Sequence, residues 1–394
     1  MQLLKPKTSK QYLALATTLA EEFATTAALR DAKGGTPKQE RDRLRESGLL
    51  KLIVPIAYGG LGESWITTLK IVREFATVDS SIAHVFSYHH LGVVIPHIFG
   101  SEAQKERYYS QTVQNNWFWC NGLNPLDRRT TLTADGRSFR LNGVKSFCSG
   151  SKDSNILPIT ATNIETNELT VLAIPTQRQG IQIQDDWDNM GQRQTDSGSI
   201  IFNNVAVYED EILGVRDRTS TPFNTIRACL TQLNLANIYL GIAQGALAAA
   251  KQYTRTTTKP WLTSGVESAT QDPYILQHYG NMWVDVQAVT CLSDRAAELL
   301  QAAWEQESRL SAEQRGECAI AIAIAKVAAT KVGLDITNQM FEVMGARATA
   351  GKYGFDRYWR NLRTFTLHDP VDYKVQDIGN WVLNEQLPNP NFYS

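Results

Sequence analysis

Apolar residues recur at three- and four-residue steps over roughly the first hundred positions, at two-residue steps over the next hundred, and at the longer period again to the end. "KQYLALATTLAEEFATTAALRDA" sets Leu, Ala and Phe on one stripe, the pattern of an amphipathic helix. "KGGTPKQ" interrupts it and "ERDRLRESGLLKL" resumes it, before the loop "VPIAYGGLGESW", whose glycines permit a tight path. "TTLTADGRSFRLNGVKSFCSG" then alternates apolar and polar residues around Asp135-Gly136 and Asn142-Gly143, both read as turns. "ELTVLAIPT" and "GSIIFNNVAVYEDEILG" supply further strands. "TQLNLANIYLGIAQGALAAAKQYTRT" restores a helical period with small residues on one face. Ser311 and Gln314 frame a capping box for a long alanine-rich helix, and Gly345 suits its C-terminal cap. The pattern predicts an α+β chain in three parts: helical over 1–115, β over 116–220, and a helical bundle over 221–394.

Composition narrows the function classes. With 394 residues, 43 % of them hydrophobic, the chain has ample material for a core. Its 39 basic and 40 acidic side chains give no electrostatic reason to expect a nucleic acid or a membrane as partner. The five cysteines (Cys120, Cys148, Cys229, Cys291, Cys318) are scattered without a CxxC pair, which points to free thiols in a reducing compartment. The opening "MQLLKPKTSKQ" lacks the apolar stretch of a secretory signal, and no run of about 18 apolar residues occurs. A cytoplasmic, soluble protein is expected.

Two motifs are set aside. Gly59-Gly60-Leu61-Gly62 neither follows a strand pattern nor fits G-x-G-x-x-G, so it reads as a turn. No Walker or Rossmann fingerprint is present, which leaves no obvious pocket for a nicotinamide dinucleotide. His84, His89, His90 and His97 lack further ligands at metal spacing, so no metal site is expected. His84 and Tyr88, four apart, would share a helix face.

Longer strings carry a resemblance. "VPIAYGGLGES", "LNGVKSFCSGS" and "MGQRQTDSGSIIFNNVAV" resemble, in order, segments of the acyl-CoA dehydrogenase superfamily. "DDWDNMGQRQTDSGS", "YTRTTTKPW", "YGFDRYWRN" and "LHDPVDYK" are most similar to its flavin-dependent dibenzothiophene monooxygenases and their relatives in sulfur acquisition. The resemblance implies an N-terminal helical domain, a middle β-barrel or sandwich and a C-terminal four-helix bundle. It also implies a homotetramer that takes reduced FMN from a separate flavin reductase (FAD being the alternative flavin). Through a C4a-hydroperoxide formed with O2, such an enzyme oxygenates the sulfur of an apolar organosulfur compound. Three other readings stand beside it: an acyl-CoA dehydrogenase with Asp369 as base, an N-oxygenase of the same fold, and a non-catalytic helical assembly protein.

The octapeptide "RTFTLHDP" (residues 363–370) bears on that choice. The dehydrogenases carry a catalytic glutamate followed by glycine where this chain has Asp369 and Pro370, and their "T-E-P-x-x-G-S-D" flavin string gives way to "CNGLNPLDRRT". Aspartate is a methylene shorter and proline stiffens the loop, so the glutamate's geometry is not reproduced; a shift of about 1 Å costs on the order of a hundredfold in rate. By resemblance, Ser149, Asn121 and His368 sit at the flavin's reactive edge with His84 and Tyr88 nearby, His368 acting as proton donor and Asp369 orienting its loop. Phe147 and Trp187 would wall the isoalloxazine ring, and Arg255, Lys259 and Arg347 would hold the phosphate across a subunit boundary. Phe365 stands where the relatives lead one to expect a further histidine.

Overall fold

Half of the α-helices begin at a side-chain cap, the first of them included. In the computed structural model, which describes residues 8–215 and 221–394, Thr8 and Gln11 form a capping box at the start of α1 (Ser9–Ala24). Gly34 and Gly35, both at positive φ, separate α2 (Ala27–Lys33) from α3 (Lys38–Ser47). Next come α4 (Trp65–Val78), α5 (Ser80–Val93), α6 (Ile95–Phe99) and α7 (Glu102–Asn115). Asp79 ends α4 and caps α5, accepting from the Ser81 and Ile82 N–H groups. Every residue of α5 is buried. A helix covered on all sides is a core helix, and its polar side chains are the ones that need explaining.

The middle of the chain forms one seven-stranded sheet. Its strands are β1 (Thr131–Asp135), β2 (Ser138–Lys145), β3 (Ile156–Asn163), β4 (Leu169–Pro175), β5 (Ile181–Ile183), β6 (Ile200–Val207) and β7 (Ile212–Val215), in the order β5-β6-β2-β1-β3-β4-β7. All pairs are antiparallel except β1 with β3. Asp135-Gly136 makes the expected β1–β2 turn. Asn142-Gly143 does not turn the chain. It lies inside β2, where the pairing with β6 shifts register between Leu141 and Gly143. β2 is held by a neighbour on each side, so the extra residue is absorbed as a bulge. Gly143 has φ 113, and a Cβ there would sit 2.0 Å from the Arg129 carbonyl oxygen, so glycine serves close approach rather than reversal.

Helices return with α8 (Ile226–Thr256), α9 (Pro273–Gln306), α10 (Ala312–Met344), α11 (Asp356–Phe365) and α12 (Val371–Asn384). Ser311 and Gln314 cap α10 reciprocally, and Gly345 follows its last turn. α8 is long and apolar enough to cross a membrane by composition, yet 83 % of that window is buried inside the protein, as expected of a core helix. Its small face lies against α4: a Cβ on Gly241 would meet the Arg73 carbonyl oxygen at 2.4 Å, and one on Gly245 the Thr77 carbonyl oxygen at 1.9 Å. Arg73 fastens the crossing, donating to Asn237 Oδ1 on α8 (3.0 and 2.7 Å) and pairing with Asp294 on α9 at 2.6 Å.

Because backbone, not a flexible side chain, faces Gly245, the substitution Gly245→Ala should force α4 and α8 apart. The expected loss is about 1–3 kcal/mol, read from the urea midpoint; an unchanged midpoint would show that the two helices are not in obligatory contact.

Candidate active site

α5 carries the first two groups. His84 and Tyr88, one turn apart, stack with ring centroids 4.1 Å apart and planes 10° from parallel. Phe365, at the end of α11, tilts onto the His84 ring at 4.7 Å, and the Tyr239 hydroxyl donates to the Phe365 carbonyl at 2.8 Å. His84 is only 4 % exposed, and neither of its ring nitrogens has a hydrogen-bond partner. Burial, reinforced by the neighbouring His368, pulls its pKa down to about 3, so the ring is neutral at working pH. Burial raises the Tyr88 phenol, with Arg227 opposing and Asp369 and Tyr393 reinforcing, and it remains a proton donor. Unpartnered polar atoms this deep are costly, which makes His84 a candidate for contact with a ligand.

Beyond the end of β2 the chain forms a short bridge in which the Asn121 N–H donates to the Ser149 carbonyl at 2.9 Å. The Ser149 hydroxyl lies 2.8 Å from that of Ser197, which lies 2.7 Å from that of Thr195. Thr195 donates onward to the Gln192 carbonyl at 2.9 Å. With Thr195's proton committed there, Ser197 donates to Thr195 and Ser149 donates to Ser197. The free lone pair of Ser149 Oγ is therefore an acceptor towards the site. The Gln192 carbonyl also accepts from Trp187 Nε1 at 2.8 Å. Phe147, 58 % exposed and at φ 59, meets the Trp187 ring edge-on at 6.2 Å. An exposed aromatic on a strained backbone is an uncovered wall.

The octapeptide at residues 363–370 supplies a further group. His368 Nδ1 lies 2.8 Å from Asp369 Oδ1, and the same oxygen receives Lys326 Nζ at 2.6 Å and Gln232 Nε2 at 3.3 Å. Lys326 also donates to Gln232 Oε1. Burial alone would raise the Asp369 carboxyl; the His368 hydrogen bond and the Lys326 charge outweigh it and hold the group well below the usual carboxylate range. Burial brings Lys326 down to about 8, with Asp369 opposing, so the pair is ionic at neutral pH. An ionised carboxylate only accepts, so His368 Nδ1 carries hydrogen and Nε2 is the nitrogen free for chemistry. The His368 side chain is 30 % exposed, at the rim of the site rather than sealed inside it.

Arg227, on the first turn of α8, reaches the same place and donates to Asn121 Oδ1 at 3.3 Å. The residues read from the sequence thus divide. His84, Tyr88 and His368 lie together, Arg227 links Tyr88 to Asn121, and the Asn121 backbone bridges to Ser149, with Phe147 and Trp187 flanking the hydroxyl run. Arg255, Lys259 and Arg347 do not join them. Thr254 and Thr258 donate to the Val343 and Met344 carbonyls, both at 3.2 Å, which gathers the three exposed cations at the far end of α8. At 1.5 Å per residue that end is about 40 Å from Arg227. Sequence reading missed Arg227, Gln232, Lys326 and Ser197. The signal for two of them was present: Lys326 interrupts "AIAIAIAKVAAT", and Arg227 is the lone charge before Lys251 in an apolar helix.

Three family profiles match in order: acyl-CoA dehydrogenase N-terminal domain over residues 9–116, middle domain over 121–205 and C-terminal domain over 233–373. The chain belongs to the acyl-CoA dehydrogenase family. Within that family it is 51 % identical to the probable FMNH2-dependent monooxygenase SfnC of Pseudomonas putida, over 97 % of each chain. The methanesulfinate monooxygenase MsuC of Pseudomonas fluorescens superposes with a TM-score of 0.95, at 50 % identity over 100 % of both chains. FMN-bound TdsC, a dibenzothiophene monooxygenase of Paenibacillus sp. A11-2, gives 0.94 and 41 %, covering 98 % of this chain and 100 % of its own.

Lys326→Met leaves the Asp369 carboxylate buried without its cation. The expected loss is about 3–5 kcal/mol in urea unfolding. Adding Asp369→Asn should recover roughly 1–2 kcal/mol of it; a strictly additive double variant would dissolve the pair as an energetic unit.

Proposed function

We propose that this chain is the oxygenase component of a two-component system. It takes reduced FMN from a separate flavin reductase, uses O2, and adds one oxygen atom to the sulfur of an organosulfur compound. The observation that carries this reading is the state of Asp369. A dehydrogenase needs a free carboxylate that can accept a substrate proton. Here the only carboxylate at that position is engaged by Lys326, Gln232 and His368 through one oxygen and held ionised far into acid. So strongly stabilised an anion is a poor base. The neighbouring imidazole, with Nδ1–H fixed by Asp369, is the proton carrier that remains.

Reduced FMN, when bound, supplies two electrons and activates dioxygen. The chain's own residues fit that ring: Ser149 Oγ offers an acceptor, Tyr88 a donor, and His84 two unsatisfied nitrogens. Phe147 and Trp187 offer an aromatic wall. Burial of His84 and Tyr88 keeps water from competing, which raises the worth of each hydrogen bond. His368 Nε2 exchanges a proton at the rim. Arg255, in the last turn of α8, and Lys259 and Arg347, gathered at that end, lie too far from Arg227 to serve the same flavin within one chain. A second copy would bring its own set to the phosphate, consistent with a homotetramer. MsuC is a methanesulfinate monooxygenase and TdsC a dibenzothiophene monooxygenase, so the relatives leave the charge of the sulfur substrate open.

With a generic flavin reductase, NADH, FMN and 18O2, a panel of sulfides, thiophenes and sulfinates should yield one product gaining a single 18O. Anaerobic mixing with acyl-CoA thioesters should leave oxidised flavin unbleached; bleaching without a reductase would replace this reading with the dehydrogenase. His368→Ala should raise hydrogen peroxide release per flavin about tenfold or more. In the native protein the same leak should grow as pH rises through about 8, where Lys326 loses its proton and its hold on Asp369. Lys326→Arg, charged throughout, should carry that limb to higher pH; an identical limb in both would separate Lys326 from the proton carrier.

A further inference from the structure

Arg227 has no ordinary structural reason to carry a charge where it stands. Its side chain is buried, and no carboxylate lies within ion-pair distance of it among the described residues. Its Nε has no hydrogen-bond partner, another guanidinium nitrogen donates to the neutral Asn121 Oδ1 at 3.3 Å, and the groups that favour its charge are the un-ionised phenols of Tyr88 and Tyr393. It also sits on the first turn of a 31-residue helix, at the positive end of the helix dipole, where a cation is repelled. Burying an unpaired guanidinium is strongly unfavourable. Asp369, the carboxylate at this site, is already matched by Lys326. The centre is therefore one negative charge short, at the place where Tyr88, His84 and Asn121 converge.

We infer that Arg227 is the anion-binding residue for the substrate, and that the substrate is a small organosulfinate rather than an apolar sulfur compound. The inference rests on the monooxygenase reading above and deepens it. A sulfinate is ionised at neutral pH, and its two oxygens match the fork of a guanidinium as a carboxylate does. The sulfur is pyramidal, so a grip on both oxygens leaves its lone pair pointing away from the arginine. That lone pair is the nucleophile an oxygen donor needs. The reaction balances as R–SO2− plus O2 plus reduced FMN giving R–SO3−, water and oxidised FMN. One S–O bond forms and the O–O bond breaks. Sulfur and flavin each give up two electrons, and the flavin's two hydrogens leave in the water. Arg227 makes the acidic oxyanion part of the recognised structure, whereas a neutral thiophene in the same place would leave its charge exposed to apolar surface.

The test uses the protein with oxidised FMN in three forms, wild type, Arg227→Met and Arg227→Lys, each titrated with methanesulfinate by calorimetry and melted with and without it. Methanesulfinate should bind wild type and raise its melting temperature. Arg227→Met should bind at least tenfold more weakly and lose the shift, while melting without ligand at or above the wild-type temperature, since an unpaired charge has been removed. Arg227→Lys should restore part of the binding. Wild type that does not bind methanesulfinate, or Arg227→Met that binds it equally well, overturns the inference. So does Arg227→Met losing FMN instead, because the cation would then serve the flavin. The 18O2 assay separates the two levels: label entering a neutral sulfide but no sulfinate sinks the anion site and leaves the oxygenase standing. Sulfinate binding that depends on Arg227, with no label in any sulfur compound, retains the anion site and sinks the oxygenase.

Discussion

The buried ion pair between Lys326 and Asp369 is the constraint on which the site depends. It joins α10 to the loop after α11, and Gln232 ties both to α8 through the same carboxylate oxygen. Isolated, either charge would be expelled or neutralised at this depth; together, with Gln232 accepting from Lys326 and donating to Asp369, they persist. The consequence is chemical as well as architectural. A carboxylate whose anion is held this strongly by Lys326, Gln232 and His368 is a poor proton acceptor, and it dictates which nitrogen of His368 holds hydrogen.

Around that pair the rest of the centre is assembled from parts that fold for local reasons. α5 is a core helix that happens to carry two polar rings at one-turn spacing, so His84 and Tyr88 are stacked by helix geometry alone. The Ser149–Ser197–Thr195 run is polarised by a single backbone carbonyl, which decides that Ser149 faces the site as an acceptor. α8 connects the two ends of the story. Its first turn delivers Arg227 and its last delivers Arg255, about 40 Å apart at helical rise. One helix thereby contributes to two separate places in the chain.

Much of this was legible in the order of residues. The helix–sheet–helix plan, the capping box at Ser311 and Gln314, the small face of α8 and the His84–Tyr88 pairing all follow from spacing, because caps, turns and amphipathic faces are interactions between residues a few positions apart. Asn142-Gly143 was misread for the same reason. The dipeptide is a turn signal only when nothing holds the strand straight, and β2 is held on both sides. Asn121, Ser149 and His368 came from longer strings shared with relatives, not from any local rule.

The amino-acid sequence by itself determined which segments are helix or strand, where they begin, and which polar residues an apolar surrounding would leave conspicuous, Lys326 and Arg227 among them. It did not determine whether those two charges are matched. Lys326 meets Asp369 across 43 positions and Arg227 meets no carboxylate among the described residues. Only the tertiary structure decides this, since the state of a buried charge is set by what lies within a few ångströms in space, and neighbours in space are mostly not neighbours along the chain.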